Sequence, residues 1–362
     1  PSFERALIGL SRGGADASVT REFDMNRREF LKEGFNRSEA KGNISWIDQD
    51  SVFIYTDFGE GTMTSSGYPR IAKLWRRGQA IEKAEVVYEG AVDDMYIGAM
   101  HDNTPGFERN FVQRTLAFYN DELYLRSDGG ELQKIDAPNS ANKDVSREYL
   151  LLELREPWST GGVDYQAGSL LVTKFDDFMA GKRTFDVAFK PTPNSSLASY
   201  TLTRNHLILN VLEDVKNRIY VMTSTEAGWQ KRPLEGAPDI GTVGVRAVDS
   251  DESDAYWMTS SGYLTPTTLY YGEIGEKPEQ LKQLTPLYQA DELKVSQHFA
   301  TSKDGTQVPY FMVSKKDLVL DGENPTLLYG YGGFEISLTP SYRATYGKLW
   351  LERGGAYVIA NI

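Results

Sequence analysis

A succession of short strands at even spacing, a six-residue echo and two apolar runs set off by glycine turns predict a mainly β protein. The predicted architecture is a β-propeller of about six blades over residues 1–290, followed by the first strands of an α/β sheet over residues 291–362. Strand-like runs lie at 6–10, 17–23, twice within 44–57, and at 70–75, 85–88, 96–100, 111–119, 123–127 and 149–154. They continue at 170–175, 199–202, 206–212, 218–223, 243–248, 255–259 and 268–271. Most are rich in Val, Ile, Tyr, Thr and Phe and bounded by Gly, Asp, Asn or Pro. Branched and aromatic side chains suit a pleated surface, and turn formers end it. Only short stretches such as 174–180 read as helix.

The echo chooses among the all-β architectures. Met63-Thr64-Ser65-Ser66-Gly67-Tyr68 returns letter for letter as Met258-Thr259-Ser260-Ser261-Gly262-Tyr263. The offset is about four units of roughly 49 residues, near the blade length of propeller repeats. The plainer explanation is a turn idiom shared by unrelated strands.

Past residue 290 the texture changes. Residues 295–301 and 306–313 flank Ser302-Lys303-Asp304-Gly305 and predict a hairpin with an Asp-Gly turn. Residues 326–329, Thr-Leu-Leu-Tyr, read as a strand buried on both faces. Gly330, Gly332 and Gly333 follow, letting the backbone take positive φ where the strand ends, and they hold Tyr331 inside the turn. A phenol on such a turn is well placed to donate a hydrogen bond to a reacting group. A second buried run, 356–360, comes after Gly354-Gly355. The sheet these strands open is cut off at residue 362. Its strands are therefore expected to pack on the preceding sheets, to pair with a neighbouring chain, or to be completed by segments outside these 362 residues.

The 51 acidic residues against 39 basic give a net charge of −12, which argues against a nucleic-acid partner. It suits a surface kept soluble by its charge and, more specifically, a bias toward cationic or neutral peptides. The absence of cysteine excludes disulfides and thiolate metal sites and fits a reducing compartment, so cytoplasm is expected ahead of periplasm. No apolar run reaches the roughly 18 residues of a membrane span, so no membrane partner is expected. Residues 1–10 lack the basic and apolar regions of a signal peptide and read as the middle of a domain.

The run from 295 to 362 resembles the beginning of the catalytic domain of the prolyl oligopeptidase (prolyl endopeptidase) family. The resemblance rests on S-K-D-G-T at 302–306, on N-P-T-L-L-Y-G-Y-G-G-F-E-I-S-L-T-P-S-Y at 324–342 and on G-G-A-Y-V-I-A-N-I at 354–362. L-S-R-G-G-A-D-A at 10–17 and T-S-S-G-Y-L-T-P at 259–266 are similar to the family's propeller, so the likeness covers essentially the whole chain. It implies a seven-bladed propeller capping an α/β-hydrolase domain, with the active site in the cavity between them. The implied activity is serine-type endopeptidase cleavage of short peptides after proline, by a Ser, an Asp and a His. The implied enzyme is monomeric and needs no cofactor, and its propeller admits substrates by size. The resemblance aligns Tyr331 with the tyrosine that forms half of the oxyanion hole, and Phe334 with an aromatic lining the pocket for the substrate's proline ring.

The sequence also departs from the family. No G-x-S-x-G occurs in it, and about six blades fit where the family has seven. The chain is therefore expected to be a fragment of such an enzyme, without nucleophile or base and inactive alone. His206, in a strand-like run, and His298, in the hairpin, read as structural, and His101 in H-D-N-T-P reads as a turn residue. No histidine has metal-ligand spacing, so no metal site is expected. Asp93-Asp94, Asp176-Asp177 and the acids of 249–254 read as turn residues bonding their own backbone. Gly59-Glu60-Gly61 lacks the setting and the Lys of a phosphate loop. Two alternatives remain open here. One is a propeller that serves as a binding scaffold without activity. The other is a propeller glycosidase or lyase with two facing carboxylates.

Overall fold

The computed structural model describes residues 4–226, 228–333 and 336–362. Within them the strands form six successive four-stranded sheets, one two-stranded hairpin and a final four-stranded mixed sheet. The six sheets span residues 5–40, 43–89, 96–134, 142–189, 195–233 and 242–283. From the second onward their starts repeat close to the roughly 49-residue period of the echo. These are the predicted blades. Each of the second, third, fifth and sixth runs its four strands in chain order as an antiparallel meander. The first is less regular: Ser18–Asp24 carries Arg5–Ser11 on one edge and both Glu29–Phe30 and Arg37–Ala40 on the other. In the fourth, a small hairpin of Trp158–Thr160 and Val163–Tyr165 interrupts the meander. The helical stretch is one short helix, Phe175–Met179.

By compactness the chain divides into residues 1–167 with 171–185, and residues 168–170 with 186–362. In the first unit, period-two alternation sends neighbouring residues of one strand into different cores. Val52 and Ile54 join Phe35, Ile44, Trp75 and Ala84, with Leu7 of the first blade against them. Phe53, between them, joins Ala72 and Leu74 with Ile97, Ala99 and Val112 of the third blade. A strand sandwiched this way must be apolar at each buried position, and Val52, Phe53 and Ile54 of Ser51–Tyr55 are. Leu150 and Leu152 of the fourth blade likewise pack with Phe111 and Leu123 of the third. In the second unit Ile208, Ile219 and Val221 meet Val243, Tyr256 and Met258.

Both copies of the echo lie at the connection from the second to the third strand of their blade. The first is in the loop between Ser51–Tyr55 and Ile71–Arg76; the second ends strand Ala255–Ser261 and enters the connection to Thr268–Glu273. They sit in blades two and six, four blades apart. Two expectations need correction. His101 is in strand Tyr96–Asp102, not a turn, with Nδ1 2.9 Å from Asn110 Oδ1 on the paired strand. Residues 326–329 do form a strand, Thr326–Gly330, but it is exposed along its length, with Leu328 68% accessible. It is an end strand with one paired neighbour among the described residues, Ala356–Ala360, which is the strand that is buried.

Ion pairs stiffen the third blade. Asp94 is buried and takes a bidentate contact from Arg114, at 2.9 and 3.0 Å, together with the Ala91 amide. Glu122 accepts from Lys134 and from the Tyr124 hydroxyl, both at 2.7 Å. The Lys134 ammonium, against the upward push of burial and with help from Tyr124, holds the Glu122 carboxyl at about 2, below the ordinary 4.5. A depressed folded-state value means this stabilisation is complete above about pH 4.5 and is lost as pH falls toward 2. Glu122→Gln is expected to cost about 1.5–3 kcal/mol at neutral pH. The gap between variant and parent should close as pH drops from about 4.5 to about 2, read from denaturant midpoints. A gap independent of pH would remove Glu122 from this account.

Candidate active site

The final sheet runs Leu293–Thr301, Gln307–Lys315, Ala356–Ala360, Thr326–Gly330. Its hairpin turns as predicted: Asp304 Oδ1 accepts the Thr306 amide at 3.0 Å, and Gly305 takes φ 88°. The last two strands pair in parallel, from Thr326 opposite Ala356 to Gly330 opposite Ala360. Parallel strands end at the same edge of a sheet, which is where α/β folds place their sites. Tyr331 is the first residue past that edge, with 39% of its surface accessible. No described residue hydrogen-bonds its hydroxyl.

The glycines around it act differently from expectation. Gly330, Gly332 and Gly333 do not adopt positive φ. What the turn needs is space. A Cβ on Gly333 would stand 2.9 Å from the Tyr331 hydroxyl and 3.0 Å from Cζ, so the phenol lies directly over the backbone there. A Cβ at 330 or 332 would meet Ile362 at an ordinary 3.5 or 3.4 Å. Gly354, before strand Ala356–Ala360, takes φ 91°, and Gly355 makes room for the Trp350 indole. That indole donates to the Ala356 carbonyl at 2.8 Å.

The segment after the turn is anchored at several points. Asn361 Oδ1 accepts the Leu338 amide at 2.7 Å, and its Nδ2 donates back to the Leu338 carbonyl at 3.4 Å. Thr242 Oγ1 donates to the Pro340 carbonyl at 2.7 Å, and Ser261 Oγ accepts the Tyr342 amide at 3.2 Å. Tyr342 stacks on Tyr288, centroids 4.9 Å apart, and its hydroxyl accepts the Leu287 amide. Tyr288 in turn donates to the Tyr263 carbonyl, and its ring fills the space above Gly347. Beneath lies a core of Tyr263, Tyr288, Leu293, Phe311, Val313, Leu351, Tyr357 and Ile359. The expected packing of the last strands on the preceding sheets is thus seen for Ala356–Ala360, which meets Tyr263 of the sixth blade in this core. Thr242 was not singled out in the sequence, and Ser261 and Asn361 entered only as members of the echo and of the 354–362 motif, with no role assigned. An Asn directly after an apolar strand was the one available signal.

Of the two residues aligned with family site positions, Tyr331 stands as above and Phe334 lies outside the described residues. The three histidines are engaged elsewhere. His206 Nδ1 is 2.8 Å from Thr223 Oγ1, and burial holds its pKa below the usual value against the pull of Asp254. His298 stacks on Tyr310, with Nε2 2.8 Å from Ser296 Oγ. Asp249 accepts the amides of Asp251 and Glu252, as a turn residue does. Asp176 and Asp177 instead occupy the first turn of the short helix.

Residues 4–105 match the family model for the N-terminal β-propeller domain of prolyl oligopeptidase. An uncharacterized peptidase of Sinorhizobium fredii is 35% identical over 100% of this chain and 51% of its own length. A prolyl endopeptidase of Elizabethkingia miricola is 37% identical over 34% of this chain and 18% of its own. Among solved structures, a post-proline cleaving enzyme from Rickettsia typhi matches with a TM-score of 0.84 at 28% identity, over 99% of this chain and 54% of that one. The chain spans about half the length of the curated relatives it matches over its whole extent.

The Asn361 clamp is testable on its own. Asn361→Ala removes both contacts to Leu338, each net hydrogen bond being worth about 0.5–1.5 kcal/mol. Amide exchange at Leu338 is expected to speed up by about tenfold, since about 1.4 kcal/mol corresponds to one decade. Exchange in strand Gln307–Lys315 should stay unchanged in the same mass-spectrometric measurement. An unchanged rate at Leu338 would mean that the Thr242 and Ser261 contacts hold the segment without Asn361.

Proposed function

The chain belongs to the prolyl oligopeptidase family of peptidases, and from that premise we propose that the full-length protein is a serine endopeptidase that hydrolyses short peptides after proline. In this reading residues 1–290 are the propeller and residues 291–362 open the α/β-hydrolase domain. The propeller restricts entry to short, flexible peptides, and the serine, aspartate and histidine are supplied outside these 362 residues. The engagement of His101, His206 and His298 in other contacts supports a general base from elsewhere.

One observation carries the reading: a phenol with no described partner, held over Gly333 at the common end of two parallel strands. Attack of a serine hydroxyl on a peptide carbonyl moves negative charge onto the carbonyl oxygen. A donor already aimed at that oxygen lowers the barrier, because it needs no reorganisation as charge develops. Tyr331 supplies that O–H. Phe334, at its aligned position, offers an aromatic face to the proline ring. The relatives named as a prolyl endopeptidase and a post-proline cleaving enzyme support the choice of proline.

In the full-length protein, Tyr331→Phe is expected to lower kcat on a proline-containing peptide by about 10²–10³-fold with little change in KM, as for loss of one oxyanion donor. Gly333→Ala, which displaces the phenol, should lower it comparably, and Gly332→Ala should not. Phe334→Ala should raise KM instead. Unchanged turnover in Tyr331→Phe would overturn the oxyanion role. Labelling of the 362-residue chain alone by a fluorophosphonate would contradict a nucleophile outside it.

A further inference from the structure

Arg37 is 2% exposed, and no carboxylate pairs with it among the described residues. Its Nη1 donates to the Ala40 carbonyl at 2.8 Å and to Thr56 Oγ1 at 3.4 Å. Its Nη2 donates to Ser18 Oγ at 2.8 Å and Thr20 Oγ1 at 3.2 Å, and Nε is buried without a partner. Burial pushes the guanidinium below its usual range, opposed by Tyr55 and by no acid. A buried cation held by neutral oxygens alone is costly, so the surroundings of Arg37 bear on what it is for.

Of its four acceptors, Thr56 alone lines a cavity of about 400 Å³ that Arg37 also lines, and the contact to Thr56 is the longest. Nη1 thus contacts a hydroxyl-bearing residue that itself lines the cavity. Lys73 lines it as well, its Nζ 4.2 Å from the centre of the Phe58 ring. Asp57 and Glu82 complete the charged lining, and Phe58 and Ile81 are its apolar members. Among the described residues none of these four ionised side chains is in an ion pair, with each other or elsewhere. Asp57 Oδ1 is occupied by the Gly59 amide and Thr62 Oγ1. Two cations and two anions thus line one cavity without pairing. An occupant of one sign would be repelled by half of the lining. An occupant with both charges would meet complementary groups on both, and the volume falls within the about 300–1,000 Å³ of small-molecule sites.

We propose that this cavity binds a small zwitterion, an amino acid or dipeptide. Its carboxylate faces Arg37 and Lys73, its ammonium faces Asp57 and Glu82, and its side chain lies on Phe58 and Ile81. Every residue involved belongs to the first two blades, so the site does not depend on the peptidase reading.

The test is calorimetric titration of the full-length protein with leucine and with glycyl-leucine. N-acetyl-glycyl-leucinamide, which has neither charge, is the control. At least one zwitterion should bind saturably with Kd near or below about 1 mM, and the capped compound should bind at least about tenfold more weakly. Lys73→Met and Glu82→Gln should each weaken binding by about tenfold. Arg37 is left intact because it ties Ser18, Thr20 and Ala40 together, and Glu82, exposed on its surface, gives a variant safe for folding. Tyr331→Phe should leave this binding unchanged, so the two readings fail separately. Equal binding of the capped compound, undiminished binding in both variants, or no saturable binding of either zwitterion at millimolar concentration would overturn the proposal.

Discussion

The structure depends on one constraint: an inner strand of a blade has a neighbour on each face. Val52, Phe53 and Ile54 are all fully buried although their side chains alternate direction, because one face meets the first blade and the other the third. Leu150, Leu151 and Leu152 are fully buried as well, Leu150 and Leu152 against the third blade. Each such side chain contributes about 1.5–3 kcal/mol by leaving water, but only while both neighbours are in place. Stability is then carried by interfaces between successive sheets, as in other repeat architectures. Thr326–Gly330 has the composition of a doubly buried strand, and its leucines are accessible among the described residues.

Between sheets, polar groups must also be matched, and here the buried charges divide. Glu22 is fully buried, takes both terminal nitrogens of Arg77 at 3.0 Å and also accepts the Phe35 amide at 2.8 Å. Arg77 comes from the second blade and its guanidinium lies over the Phe35 ring. Lys143, buried at the head of the fourth blade, is surrounded by Asp121 and three carbonyls. These groups have what a buried ion requires, a counter-charge plus hydrogen bonds for the remaining lone pairs or protons. Arg37 lacks the first and has the second only at its two terminal nitrogens, Nε being buried without a partner. That contrast, within one pair of blades, sets it apart as a group whose charge is not balanced by the fold.

Much of this was legible in the sequence because it rests on period-two patterns and turn chemistry. Ser51–Tyr55, Tyr149–Glu153 and His206–Glu213 announce themselves by runs of three apolar residues, at 52–54, 150–152 and 207–209, and the Asp304-Gly305 turn by its residues. The last strand of the sixth blade did not. Glu279–Gln283 is exposed at every position and shows no alternation to read. His101 was misplaced because Asp102, Asn103 and Pro105 look like a turn, yet the strand persists to Asp102 through its pairing with Arg109–Ala117. At the site, Tyr331 was readable from its glycines, but for the wrong reason. Left-handed backbone was the natural inference from Gly-x-Gly-Gly, whereas close approach of the phenol is what excludes a side chain at 333. The cavity between the first two blades was invisible, since Arg37, Thr56, Lys73 and Glu82 form no local motif.

What positions the tyrosine turn is chemically ordinary, and much of it comes from the blades. Thr242 and Ser261 of the sixth blade hold the segment that follows the turn, and Tyr263, the last residue of the second echo copy, is buried in the core of the final sheet. The matching tyrosine of the first copy, Tyr68, is 38% exposed, so the same six residues serve a turn in one blade and an anchor in another. The fifth blade is tied in through a conformation it would not favour alone. Asp214 and Val215 turn at φ 47° and 65°, which for a β-branched residue costs of order 1–3 kcal/mol. Gln297 of the final sheet donates to the Asp214 carbonyl at 2.5 Å, and Val215 packs on that sheet's core. A strained turn persists only where its surroundings over-determine it. The final sheet therefore shapes the blade it touches as much as the blade holds the sheet, and the segment that follows the tyrosine turn is held by hydrogen bonds reaching back as many as 98 residues in the chain.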